Sequence, residues 1–149
     1  MNASSQDHAG HRLIQLGILL FLLGLLVGFA VPILANPRMG LSSHLEGVMN
    51  GLFLVALGLI WPRLVLPSRI LRATFWLACY GTFVNWTATL LAAIWGAGHM
   101  MPIAAQGHAG TAAQENLIGF LLISLSVAMV LVCASVLVGL RGVGAARRS

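Results

Sequence analysis

A histidine, a carboxylate and a carboxamide stand close together in residues 44–51, HLEGVMNG, at the start of a long apolar run. The side chains are those of His44, Glu46 and Asn50, at positions where a lipid-embedded helix would otherwise carry leucine, isoleucine or valine. Polar and ionisable groups inside a membrane span are costly, and the default interpretation of such a group is a functional site. This stretch is therefore the candidate site of the chain.

Helical geometry divides the stretch into two adjoining stripes. At about 100° per residue, Glu46 and Asn50 are i,i+4 neighbours on one face, whereas His44 shares a stripe with Gly47 and Gly51. Imidazole is a frequent protein ligand of haem iron, and a glycine stripe leaves room for a flat macrocycle. We expect a flat group beside His44, although a lone imidazole in a membrane helix is also compatible with a hydrogen-bonded packing role.

The composition identifies the class of protein. Hydrophobic residues make up 59% of the chain and charged residues only 7%, whereas soluble domains carry about 25% charged residues. The chain contains no lysine, and its arginines lie mainly at the ends of apolar runs. This pattern indicates membrane topology and excludes a nucleic-acid-binding patch. Cys79 and Cys133 lie inside apolar runs, where cysteine behaves as a small hydrophobic residue.

Four apolar runs are long enough to cross a bilayer. They predict an all-α integral membrane protein, a four-transmembrane-helix bundle formed by a single domain, residues 1–149, with spans at about 13–34, 44–66, 70–97 and 115–140. Gly24 and Gly28 form a GxxxG step that permits close approach of another helix. Turn residues at 36–40 predict that Ser42 or Ser43 caps the second helix.

The arginine distribution predicts the orientation. Seven arginines fall on one side of the predicted spans and only Arg38 on the other, so the positive-inside rule places both termini in the cytoplasm. The seven are Arg12, Arg63, Arg69, Arg72, Arg141, Arg147 and Arg148. The polar stretch 44–50 then lies near the outer membrane surface, where Glu115 and Asn116 begin the fourth span.

The third span carries its own polar residues. Asn85 shares a helical face with Thr82 and Thr89, and Tyr80 lies on a second face. A single buried asparagine is also compatible with simple interhelical adhesion. Together with Glu46 and Asn50, however, Asn85 predicts a polar pocket formed by several helices.

The histidines narrow the chemistry further. His44 is the only histidine inside a span, whereas His99 and His108 lie in a loop at a spacing that is not typical of a metal site. Met49, Met129 and His99 remain possible second ligands. One firm ligand leaves an iron coordination position open, which favours a reactive or Lewis-acid role over electron transfer.

Three segments carry a family resemblance: 36–51 (NPRMGLSSHLEGVMNG), 80–86 (YGTFVNW) and 11–17 (HRLIQLG). They resemble the hydroxylaminobenzene mutase family of bacterial nitroarene degradation. More distantly, the chain is similar to styrene oxide isomerase, a four-helix membrane enzyme that holds haem b between the subunits of a homotrimer. The shared element is a histidine, an Asn-Gly pair six residues later, and an asparagine in the third helix.

The resemblance implies a function and a site. It implies an isomerase of the bacterial inner membrane that rearranges a small arylhydroxylamine to a 2-aminophenol on ferric haem b, in a homotrimer surrounded by membrane lipid. His44 would be the axial ligand of the iron, and Asn50 and Asn85 would line the substrate pocket. The isomerase also uses an aspartate and a tyrosine on its third helix, and this chain departs from that pattern. Gly81 and Thr89 are the nearest equivalents and Tyr80 lies elsewhere on the helix; Tyr80 and Thr89 are kept as candidate catalytic residues.

Two alternatives remain open. The first is an epoxide isomerase of the styrene oxide type, and the second is a non-catalytic, cytochrome-like haem subunit of a larger membrane complex. The absence of a dinucleotide-binding fingerprint agrees with an isomerisation that needs no nicotinamide.

Overall fold

The computed structural model describes residues 3–146, most of which are helical. The helices, in chain order, are α1 (Ala3–Ala30), α2 (Pro37–Ile60), α3 (Ser68–Trp95), α4 (Pro102–Ala105) and α5 (Ala112–Ala146). Short 3-10 turns at Val31–Ile33 and Trp61–Arg63 follow α1 and α2. All helices except the single-turn α4 are long and apolar enough to cross a membrane, which confirms the predicted all-α fold with four spans.

Helix α2 begins earlier than the sequence predicts. Its N-cap is Asn36, whose Oδ1 accepts a hydrogen bond from the backbone N–H of Met39 at 3.0 Å. Pro37 follows at the first helical position, where its missing N–H is not needed and its fixed φ suits the helix. The predicted caps Ser42 and Ser43 are therefore wrong. Both serines lie inside α2, with their hydroxyls bonded to backbone carbonyls.

Helices α1 and α2 pack at backbone contact through facing glycines. A Cβ built on Gly24 would lie 2.8 Å from the carbonyl carbon of Gly47, which leaves no space for a side chain between the two helices. Two further pairs continue the same antiparallel contact, Gly17 with Gly51 and Gly10 with Gly58. The close approach predicted from the GxxxG step is thus present, with α2 as the partner.

The remaining helices follow in a row. Helix α3 packs on α2, and α5 packs on α3. A buried apolar cluster links the four spans towards the end of the molecule where α1 begins; it comprises Leu13, Leu20, Leu54, Leu57, Trp61, Leu64, Leu71, Ala78 and Val132. A smaller cluster near the other end comprises Met39, Ala88, Ala92, Ala93, Ala97 and Ile118.

One end of the molecule carries most of the arginines. Gln6 of α1 donates hydrogen bonds to the carbonyls of Trp61 and Leu64, at 2.8 and 3.0 Å, so the start of α1 lies beside the end of α2. The described arginines of this end are Arg12, Arg63, Arg69, Arg72 and Arg141, and Arg38 lies at the opposite end. Arg147 and Arg148 fall outside the described residues. The membrane orientation derived from this asymmetry stays a prediction.

Candidate functional site

Glu46 joins two transmembrane helices through one carboxylate oxygen. Its Oε2 accepts a hydrogen bond from Nδ2 of Asn50 at 2.9 Å, one helical turn away on α2. The same oxygen accepts a bond from Nδ2 of Asn85 on α3 at 2.6 Å. All three side chains are half-buried. The structure therefore brings three of the predicted site residues together as one carboxylate–amide cluster.

The other carboxylate oxygen of Glu46 has no hydrogen-bond donor within residues 3–146. Two amides thus fix the carboxylate while its Oε1 keeps its full acceptor capacity. Each amide also retains a carbonyl oxygen that can accept a further bond. A carboxylate arranged in this way can take a proton from a bound molecule, and the two asparagines can hold that molecule in place.

The imidazole of His44 faces α1. Its Nδ1 donates a hydrogen bond to the backbone carbonyl of Gly24 on α1, at 2.9 Å. A carbonyl can only accept, so Nδ1 carries a proton, and in the neutral ring Nε2 is the nitrogen available to a metal. Gly28 makes room for the ring, because a Cβ there would lie 2.8 Å from Nδ1 of His44.

An open cavity of about 430 Å³ adjoins the imidazole. It lies where the end of α1 meets the start of α2, and its walls other than His44 are Leu25, Gly28, Phe29, Val31 and Leu41. The wall is therefore apolar apart from the imidazole. A flat, mostly apolar group that binds the imidazole of His44 suits such an environment.

Two expectations about this region differ from the structure. The stripe containing Gly47 and Gly51 does not provide space for a macrocycle, because α1 packs directly against both glycines. His44 and Glu46 also do not share a pocket within one chain. They are about 200° apart around α2 at about 100° per residue, so the imidazole faces α1 while the carboxylate faces α3.

The hydroxyls of Tyr80 and Thr89 bond to groups other than the carboxylate. The hydroxyl of Tyr80 shares a hydrogen bond with Oγ of Ser124 at 2.7 Å, which directs it to α5. The hydroxyl of Thr89 donates to the carbonyls of Asn85 and Trp86 on its own helix, both at 3.0 Å. Such bonds satisfy a hydroxyl locally. Neither hydroxyl thus bonds to the carboxylate of Glu46, although Thr89 lies one turn from Asn85 on α3.

Glu115 serves the loop that precedes α5. Its carboxylate accepts backbone N–H bonds from Gly98, His99 and Gly110, at 3.0, 2.9 and 2.9 Å. These bonds occupy both oxygens and hold the loop 98–110 at the start of α5. The predicted orientation puts Glu115 at the membrane level of the site, whereas the structure gives it this structural role.

Trp86 is a neighbour of the cluster that sequence reasoning missed. Its indole packs on Gly47, and its buried Nε1–H finds no acceptor in the described part of the chain. The position directly after Asn85 was the only available signal. A buried donor without a partner calls for an explanation, such as a functional role or a bound water or ion.

Comparison with known proteins places this architecture in a family. A family model described as styrene oxide isomerase matches residues 9–141. This chain belongs to the styrene oxide isomerase family. No solved structure matches the chain.

Two relatives in Ectopseudomonas oleovorans refine the position of the chain within the styrene oxide isomerase family. Hydroxylaminobenzene mutase HabB is 65% identical over 147 residues, which cover 98% of this chain and 90% of HabB. Hydroxylaminobenzene mutase HabA is 49% identical over 125 residues, which cover 83% of this chain and 93% of HabA. The resemblance to the hydroxylaminobenzene mutases is therefore confirmed, and the chain is an isomerase of the mutase type.

Proposed function

We propose that this protein is a hydroxylaminobenzene mutase, which converts an arylhydroxylamine into the isomeric 2-aminophenol. The observation that carries the substrate class is the 65% identity to HabB over 98% of the chain. The cluster of Glu46, Asn50 and Asn85 supplies the acid–base group that the reaction needs.

The bonds that break and form in the reaction show which proton Glu46 would transfer. The N–O bond of the hydroxylamine breaks, a C–O bond forms at the ortho carbon, and the proton on that carbon must leave to restore aromaticity. The amine nitrogen gains one proton, so the net change moves a proton from carbon to nitrogen without any external oxidant or reductant. A carboxylate with one free oxygen can accept this proton and return it.

Asn50 and Asn85 have two roles in this scheme. Their N–H groups fix Oε2 of Glu46, which keeps the carboxylate in one orientation at the α2–α3 interface. Their carbonyl oxygens can accept hydrogen bonds from the N–H and O–H of the substrate. Such preorganised contacts orient the aromatic ring relative to the base.

The residues around His44 fit a haem b. The proton on Nδ1 is held by the carbonyl of Gly24, which leaves Nε2 free, and this second hydrogen bond is the usual support of a metal-ligating histidine. The apolar walls of the adjoining cavity suit the macrocycle. When bound, ferric haem supplies a Lewis acid for the heteroatoms of the substrate. His44 would hold the iron as its protein ligand.

A homotrimer would bring the two halves of the site together. His44 and Glu46 lie on opposite sides of α2, and the exposed apolar face of α2 between them contains Leu41, Leu45, Met49 and Leu52. In an assembly packed through this face, the imidazole of one copy and the carboxylate of the next copy could line one shared site. The catalytic unit is then a pair of adjacent subunits, embedded in the bacterial inner membrane.

Turnover by the purified protein tests the proposed function. We expect protein in detergent to convert hydroxylaminobenzene to 2-aminophenol without nicotinamide or flavin, and to isomerise styrene oxide far more slowly. The family model favours the epoxide reaction as the second candidate. Faster turnover of styrene oxide would support that candidate. A protein that is reduced by quinol and turns over neither compound would be a non-catalytic haem subunit.

A further inference from the structure

A cavity at the arginine-rich end has the features of an anion site. It has a volume of about 450 Å³ and lies between α1 and α3. Arg12 of α1 and Arg72 of α3 line it from the two sides, together with the aromatic residues Trp61, Phe75 and Trp76. Tryptophan and arginine at the end of a membrane helix mark the level of the lipid headgroups.

A larger apolar groove continues from this cavity towards the middle of the membrane. It has a volume of about 700 Å³, and it shares Arg12, Phe75 and Trp76 with the first cavity. Leu16, Leu19, Cys79 and Phe83 are among its deeper walls. The two cavities therefore form one continuous groove along the α1–α3 face. Its wall is charged at the membrane surface and apolar further in. We call it the α1–α3 groove.

The chain itself does not neutralise the two arginines of this groove. Within residues 3–146, neither guanidinium has an ion-pair or hydrogen-bond partner. Only three acidic residues are available. Glu46 is bound by two amides, and Glu115 holds the loop at the opposite end. The third, Asp7, is exposed on α1, does not line the groove and forms no ion pair within residues 3–146. An anion from outside the chain can therefore occupy this position.

We propose that the α1–α3 groove binds an anionic phospholipid, with its phosphate on Arg12 and Arg72 and an acyl chain along the apolar part. Guanidinium groups bind phosphate through paired, charge-assisted hydrogen bonds. A free phosphate ion would leave the apolar groove unfilled, whereas a phospholipid matches both the charged and the apolar section. The site is on the opposite end of α1 from His44, so it is separate from the proposed catalytic site.

Lipid retention by the purified oligomer tests this proposal. Protein in detergent is incubated with equal amounts of phosphatidylglycerol and phosphatidylcholine of identical acyl chains, and retained lipid is measured by native mass spectrometry. We expect preferential retention of phosphatidylglycerol. Arg12→Gln and Arg72→Gln should each weaken retention by about tenfold or more, as expected for loss of a charge-assisted hydrogen bond. Mutase turnover, or circular dichroism, verifies that each variant is folded.

Arg69→Gln is the matched control, because Arg69 lies at the same end of the molecule and does not line the groove. It should retain phosphatidylglycerol as the unchanged protein does. Equal losses in Arg69→Gln and Arg72→Gln would mean general surface attraction and would refute a defined site. Equal retention of phosphatidylcholine and phosphatidylglycerol by the unchanged protein would refute it as well.

Filling the apolar part provides a second test that leaves both arginines intact. Cys79→Trp places a bulky side chain in the wall of the groove, and we expect it to lower lipid retention without loss of haem or of oligomer size. Dissociation of the oligomer would instead identify the groove as a subunit contact. Loss of haem from the Arg12 or Arg72 variants would identify it as a cofactor site. Either result would overturn the lipid assignment.

Discussion

Two glutamates lie in the membrane helices, and their surroundings differ in a way that separates catalysis from structure. Glu46 accepts two side-chain amides and keeps Oε1 open, whereas Glu115 uses both oxygens on the backbone N–H groups of a loop. Only Glu46 therefore has an oxygen available for a proton from the substrate. The proton transfer proposed for the mutase reaction depends on this difference.

We predict that Glu46→Gln lowers turnover of hydroxylaminobenzene by about two to four orders of magnitude, the size expected for removal of a general acid–base group. Glutamine has nearly the same shape, so the protein should still insert and assemble. The matched substitution Glu115→Gln should retain most of the turnover and lower thermal stability, because it weakens the loop anchor. Similar losses of turnover in the two variants would argue against Glu46 as the base.

At this scale the sequence predicts which polar residues converge, and within a helix also which of them bond, but not which atoms bond between helices. The pairing of Glu46 with Asn50 follows from their i,i+4 spacing. The bond between Glu46 and Asn85 depends on the rotation of α3, which the spacing of residues within α3 does not determine. The sequence likewise does not predict the hydrogen bond between His44 and Gly24, because this bond depends on which helix packs against α2.

The glycine contact between α1 and α2 is the main feature at the scale of the elements, because it determines which face of α2 remains for function. A Cβ built on Gly47 would lie 2.5 Å from the Cα of Gly24. Alanine there must push the helices apart. We predict that Gly47→Ala destabilises the protein by about 1–3 kcal/mol, the usual cost of overpacking.

Gly119→Ala is the control for this substitution. Gly119 also lies within a transmembrane helix, but its nearest neighbour is the Cγ of Met100, at 3.6 Å from a built Cβ. Alanine there meets ordinary contact and improves helix propensity. Unfolding in detergent by increasing SDS should therefore separate the two variants. Equal stability of the two would show that α1 and α2 do not pack through their glycines.

The sequence predicts that α1 approaches another helix closely, from the GxxxG step, but it does not identify the partner. The sequence alone therefore leaves the glycine stripe of α2 available for a cofactor, whereas in the structure α1 packs against it. The start of α2 also differs from the prediction, because Nδ2 of the cap Asn36 donates hydrogen bonds to the carbonyls of Ala104 and Ala105 in the distant helix α4. Local turn chemistry does not reveal such a contact.

At the scale of the whole molecule, the arginine asymmetry predicts cytoplasmic termini. The test uses single cysteines in a background in which Cys79 and Cys133 are replaced by alanine. Ala109→Cys, in the loop before α5, should react with an impermeant thiol reagent in intact cells, and Ser68→Cys should react only after lysis. Labelling of Ser68→Cys alone in intact cells would reverse the topology.

The assembly of the site is the feature that a single sequence predicts least well. The composition and the apolar runs predict four spans correctly, because hydropathy and span length are properties of the chain alone. The division of His44 and Glu46 between opposite sides of α2 follows from packing. It is this division that makes a second subunit necessary for the proposed reaction.

The absorption spectrum of purified His44→Ala, compared with that of the unchanged protein, tests the central claim that His44 holds a ferric haem in a working mutase. We predict a Soret band and mutase turnover in the unchanged protein, loss of both in His44→Ala, and partial return of the band when free imidazole fills the vacated position. His99→Ala and His108→Ala should keep the band. A colourless, active unchanged protein, or a His44→Ala variant that keeps its haem band while His99→Ala loses it, would contradict the account.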